Sequence, residues 1–114
     1  MRQMLANDCA VTVTALPGSL RADVRIVGDV DMAAVQILTD AIRRLSEGSP
    51  RSVFVDLAAV TFAGSALPNF LVQAHSRMPR GSFLVVSRPD PMTRSVLAAT
   101  GMTDIVTVCD NRLS

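Results

Sequence analysis

The stretch Val53-Phe54-Val55-Asp56-Leu57-Ala58-Ala59-Val60-Thr61-Phe62-Ala63-Gly64-Ser65-Ala66-Leu67-Pro68-Asn69-Phe70-Leu71 decides how this chain is organised. Its first five residues are β-branched or apolar apart from Asp56, and such a run suits a central strand covered on both faces. Ala58 to Ser65 then reads as a polar turn. Beyond it Leu67, Phe70, Leu71, Ala74 and Met78 recur at helical spacing until Pro79 and Gly81 close the helix. Ser65 therefore falls where a turn becomes a helix.

Working outward, Val11-Thr12-Val13-Thr14 and Val24-Arg25-Ile26-Val27 alternate with period two on either side of Pro17-Gly18-Ser19, which predicts a hairpin whose first strand lies at the sheet edge. Gly28-Asp29-Val30-Asp31 breaks that pattern. Asp31 is placed to cap a helix carrying Met32, Val35, Leu38, Ile42 and Leu45, with Ala34, Ile37 and Ala41 beside them, closed by Gly48-Ser49-Pro50. Downstream, Phe83-Leu84-Val85-Val86 is a strand, and Asp90-Pro91 opens a third helix with an N-cap followed by proline. Met92, Val96, Leu97 and Thr100 form its expected inner stripe, Gly101 its left-handed end, and Ile105 to Val108 the last strand.

Alternating strands and helices predict an α/β fold: a mostly parallel sheet of about five strands, the first in a hairpin, wound as a right-handed strand-helix superhelix. Residues 1–114 are expected to form a single domain, with 1–8 an N-terminal arm and 110–114 a short polar tail. Ligands and partners of such sheets meet the carboxyl ends of strands. The turns Gly28 to Asp31 and Ala58 to Ser65 should thus be neighbours on one rim.

Composition excludes several roles. The 114 residues are 49% apolar and 18% charged, with net charge +1, and apolar runs fall far short of the ~20 residues that cross a bilayer. No membrane partner is expected. Met1 to Asp8 has no apolar leader segment, so the expected location is cytoplasmic. All basic residues are arginine, scattered among the acidic ones, and the four aromatics are all phenylalanine, which offers neither a charge footprint nor a stacking platform for nucleic acid. Cys9 and Cys109 lack C-x-x-C spacing and read as small buried hydrophobes. His75 sits inside a helix, at the surface or its boundary. No nucleophile-histidine-acid set, phosphate loop or metal-ligand cluster is present, so no catalytic residue, cofactor or metal is expected. Capping and turn formation explain Asp29, Asp31 and Asp56; an enzyme or carrier using those carboxylates would need a deep pocket.

Ser65 has two readings. As a helix cap, its hydroxyl would accept from the N–H of Leu67, because Pro68 has no N–H to offer. As a phosphoacceptor, it would place a phosphate of about −1.5 to −2 charge where backbone N–H groups and the helix dipole tolerate it. The two are compatible.

These features together resemble the STAS domain of the anti-sigma factor antagonist family. The resemblance rests on Gly28-Asp29-Val30-Asp31, on Val55 to Phe62, on Ser65-Ala66-Leu67, and on Val96-Leu97-Ala98-Ala99-Thr100-Gly101-Met102, so it spans nearly the whole chain. It implies a non-enzymatic bacterial regulator that binds a serine kinase acting as anti-sigma factor, with phosphorylation releasing the partner. Members show Thr-Phe, one residue, then Asp-Ser-Ser/Thr-Gly-Leu, the second hydroxyl residue being phosphorylated. Aligned without a gap, Gly64 replaces the Asp and Ala66 occupies the phosphosite, which would leave a non-phosphorylated scaffold. With one loop residue deleted, Ser65, Ala66 and Leu67 match the phosphorylated Ser, Gly and Leu. The family's apolar residues three and four after that Leu correspond to Phe70 and Leu71, which favours the second alignment. The implied phosphosite is then Ser65, and the implied partner surface comprises Asp31, Thr61, Gly64, Ser65, Ala66 and Asn69. Members commonly end in another helix, for which five residues after Cys109 are too few.

Overall fold

A computed structural model of the chain describes residues 2–6, 8–15 and 20–110. The Pro17-Gly18-Ser19 turn and residues 111–114 of the expected tail lie outside the described residues. Six strands and three helices follow in the order β1 (Arg2–Ala6), β2 (Cys9–Ala15), β3 (Arg21–Val30), α1 (Val35–Gly48), β4 (Ser52–Ala63), α2 (Ala66–Ser76), β5 (Phe83–Ser87), α3 (Pro91–Ala99) and β6 (Thr107–Cys109). Short 3-10 turns at Met32–Ala34 and Met102–Asp104 precede α1 and β6.

The sheet order is β1-β2-β3-β4-β5-β6. The first two pairings are antiparallel and the other three parallel. Six strands thus replace the expected five, because Arg2–Ala6 pairs with β2 rather than forming an arm. The Val11 strand is consequently not the edge. Five residues with little alternation carry no strand signal of their own; the register of β2 recruits them.

Each strand from β3 to β6 is added on the same side of its predecessor, so right-handed crossovers carry all three helices to one face. That face is the core: Val11, Val13, Val24, Ile26, Val53, Val55, Leu57, Leu84 and Val86 are buried in one cluster with Leu38, Ile42, Leu45, Leu67, Phe70, Leu71 and Leu97 from the helices. The expectation that Val53–Leu57 is covered on both faces is therefore corrected. Phe54 and Asp56 point to the open face, where the guanidinium of Arg21 lies 4.0 Å over the Phe54 ring and Arg88 donates to Asp56 at 2.9 Å. Side-chain partners on the same face give these residues the shelter that a second helical layer would have given.

The helix phases need two adjustments. Met32 and Val35 are exposed, and the buried stripe of α1 runs through Ile37, Leu38, Ala41, Ile42 and Leu45. In α3 the inward residues are Thr93 and Leu97, while Met92 and Thr100 face out. A nine-residue helix supports only a narrow stripe, and the Asp90 cap, whose carboxylate accepts from the Thr93 N–H at 2.7 Å, turns that side inward. The last strand begins at Thr107, two residues later than expected, because Met102–Asp104 coils and Ile105 turns before it.

Candidate functional site

β3 and β4 are longer than their apolar cores suggest, and this builds the rim. The pairing continues through two register shifts to Val30 opposite Ala63. The expected turn Ala58 to Ser65 is thus strand as far as Ala63. Between the pairs Gly28–Val60 and Asp29–Phe62, β4 contributes one extra residue, Thr61. Such a bulge re-aims a side chain, and here the Thr61 hydroxyl donates to Asp29 at 2.5 Å. The Gly64 N–H then donates to the Val30 carbonyl at 2.9 Å. The starts of α1 and α2 are therefore held side by side, as the two-turn rim requires.

Gly28 makes this geometry possible. Its φ is +97°, and a Cβ there would lie 2.1 Å from the Asp8 carbonyl oxygen. The same carbonyl accepts from the Asp29 N–H at 2.8 Å, which seats the β1-β2 turn against the rim. Beside it the Cys9 thiol is buried, and its pKa is raised first by that burial and then by the charges of Asp31 and Asp29.

Asp31 caps as expected, its carboxylate accepting from the Ala33 N–H at 3.0 Å, although what it opens is the 3-10 turn leading into α1. Ser65 does not cap. An N-cap side chain reaches the helix N–H groups from an extended backbone, as Asp31 (φ −117°, ψ −169°) and Asp90 (φ −70°, ψ 170°) both do. Ser65 is already helical at φ −62°, ψ −19°, and makes no capping bond. The Leu67 N–H instead donates to the Gly64 carbonyl at 3.2 Å. The serine side chain is left exposed at the first turn of α2.

The remaining residues named from sequence divide clearly. Thr61 and Asn69 are exposed and Gly64 half-buried. A Cβ on Gly64 would stand 3.2 Å from the Phe62 ring and 3.4 Å from the Val30 carbonyl, so a larger residue needs a small shift of an exposed ring. Ala66 is buried and offers no side-chain surface. Sequence reasoning missed three apolar residues at this end: Met32, Val35 and Phe62 are 75%, 42% and 48% exposed. Met32 and Val35 share helical spacing with Leu38, Ile42 and Leu45, yet with Ala34, Ile37 and Ala41 beside them there are more apolar residues than one helix face can bury.

Near the rim, a cavity of about 50 Å³ between α1 and α2 is lined by Val35, Leu38, Asn69 and Phe70 among others. Among the described residues no group of three or more His, Cys, Asp or Glu side chains is placed to hold a metal ion, and no helix is long and apolar enough to cross a membrane. His75 is exposed on α2.

Comparison with known proteins gives this arrangement a family. The STAS domain model matches residues 13–113. An anti-sigma factor antagonist from Mycobacterium paratuberculosis superposes with a TM-score of 0.79 at 24% identity, covering 90% of this chain and 86% of that one. The anti-sigma factor antagonist SpoIIAA in its unphosphorylated form gives 0.73 at 14% identity, covering 89% of each chain. SpoIIAA from Bacillus in the phosphorylated form gives 0.67 at 14%, covering 89% and 92%. No curated protein sequence matches. With the family model spanning the sheet from β2 to β6 and all three helices, this chain belongs to the STAS domain family.

Proposed function

We propose that the chain is an anti-sigma factor antagonist: it binds a serine-kinase anti-sigma factor through the rim of Asp31, Thr61, Gly64, Ser65 and Asn69, and phosphorylation of Ser65 releases that partner. It acts by binding and not by catalysis. The observation that carries this reading is Ser65 itself, an exposed side chain at a helix start that makes no capping bond. A phosphate there would meet the positive end of the α2 dipole, so the added charge is tolerated by the fold while altering the face a partner would touch. Burial of Ala66 supports the alignment that makes Ser65 the phosphosite, since a kinase could not reach the neighbouring position without unwinding the helix. Met32, Val35 and Phe62 supply apolar contact area of the kind found at the centre of interfaces.

The test is binding to the cognate kinase with a non-hydrolysable nucleotide, so that no phosphate is transferred. Wild type and Ser65→Ala should then bind alike, and Ser65→Asp should bind at least tenfold more weakly, a difference of about 1.4 kcal/mol. Equal binding of Ser65→Asp would refute the switch and leave a constitutive scaffold.

A further inference from the structure

The face of the sheet away from the helices carries no second layer, and strand alternation fixes which side chains stand on it. Along β3 these are Arg21, Asp23, Arg25, Val27 and Asp29, because Ala22, Val24, Ile26 and Val30 are buried in the core. The register extends the Val27 position into a row: Leu5 stands opposite Ala10, Ala10 opposite Val27, and Val27 opposite Ala59. That row is apolar across β1 to β4. Leu5 is 68% and Val27 38% exposed, while Ala10 and Ala59 are half-buried and lower the surface beside them. Charge brackets the row. Arg25 lies two residues before Val27 and Asp29 two residues after it. Arg25 is exposed and has no ion-pair partner among the described residues. Its neighbour on β4, Asp56, is already held by Arg88 and by the Ala58 N–H. Asp29 accepts from the neutral Thr61 hydroxyl, and Asp8, exposed at the β1-β2 turn, adds a second carboxylate on that side of the row. Arg21 and Asp23 pair with each other at 2.9 Å on the Arg25 side. Phe83, at the start of β5, stands level with Arg21 and Ser52, well away from the row.

Turned over about the row, this surface matches itself. We propose that a second copy of the chain docks here, sheet on sheet, with a two-fold axis along Leu5, Ala10, Val27 and Ala59. Apolar row then meets apolar row, and each Arg25 comes over Asp29 of the other copy, giving two equivalent ion pairs. Phe62, level with Asp29 on β4, comes over the Asp56–Arg88 pair of the second copy, where a guanidinium and a ring attract. The other in-plane axis, along the strands, would set Arg25 on Arg25 and Asp29 on Asp29, so the charge order of β3 selects the first. The row spans three strand spacings, about 14 Å, and Arg25 to Asp29 covers about 13 Å. With the side chains around them such an overlay buries on the order of 1000 Å² in total, the low end for a specific contact. The dimer is therefore weak and depends on concentration. α2 lies on the opposite face of the sheet, so Ser65 stays open in both copies, and the dimer does not rest on the reading of Ser65 as a switch.

Sedimentation velocity of the full chain, from micromolar to millimolar protein, tests this. Wild type should pass from monomer to dimer, and added salt should shift the equilibrium back. Arg25→Asp sets carboxylate against carboxylate and should weaken the dimer at least tenfold; Leu5→Ser should weaken it on the order of tenfold. Both side chains are exposed, so circular dichroism of these variants should match wild type. The double variant Arg25→Asp/Asp29→Arg inverts both ion pairs and should recover the dimer. Ser65→Ala should dimerise as wild type does, which separates this result from the switch at the rim. A chain that is monomeric throughout overturns the proposal. So does a dimer that Arg25→Asp leaves intact, as pairing through the outer edge of β1 would be, or a double variant that keeps the wild-type circular dichroism and stays monomeric.

Discussion

Ser65 and Asp90 occupy equivalent positions at the starts of α2 and α3, and their backbones set them apart. Because Ser65 makes no capping bond, Ser65→Ala should change unfolding free energy by less than about 0.5 kcal/mol, whereas Asp90→Ala should cost about 1 kcal/mol; urea titration of both variants checks this. The pKa of Asp90 is lowered, mainly by the Thr93 N–H and further by the Thr93 hydroxyl. A carboxylate with a depressed folded pKa stabilises fully above its unfolded value of about 4 and loses that contribution as pH falls through the folded value. Stability of Asp90→Ala should accordingly fall less steeply than wild type below about pH 4. The sequence placed both residues correctly because proline, serine and aspartate mark helix starts. It left the role of Ser65 open because capping depends on the ψ of one residue, which the neighbouring Gly64–Val30 hydrogen bond constrains from another strand.

Among the elements, the β1-β2 hairpin and the two bulged strands matter most, since they aim the rim. Gly28 stands where β1-β2 meets β3, and a methyl group there would collide with backbone at 2.1 Å while forcing a residue with a Cβ to adopt φ +97°. Gly28→Ala should lower stability by on the order of 2–4 kcal/mol and, by displacing Asp29 and Asp31, weaken partner binding more than Ser65→Ala does; denaturation and binding measured on one preparation separate the two effects. Apolar periodicity made the core lengths of β3 and β4 legible and missed their final residues. A bulge such as that at Thr61 breaks period two, so Ala58–Ala63 looks like a turn until β3 is seen beside it. The same dependence on a neighbour hid β1, and the phase of α3 was obscured because its inward Thr93 is polar.

At the scale of the molecule, sequential strand order places every helix on one face and leaves the other to arginine-capped Phe54 and Asp56. Fold class was readable from element order alone. The rim's apolar surface was not, because it joins residues far apart in sequence. Arg51, Arg77 and Arg80 are exposed at the end of the sheet opposite Ser65, so substitutions there should leave kinase binding unchanged. The central claim is that Ser65 is the residue through which the partner is released. It is tested most directly by incubating the chain with its cognate kinase and ATP and mapping the phosphate by mass spectrometry. The account predicts one phosphate on Ser65 and none on Ser65→Ala; incorporation that persists in Ser65→Ala, or maps to any other residue, would contradict it.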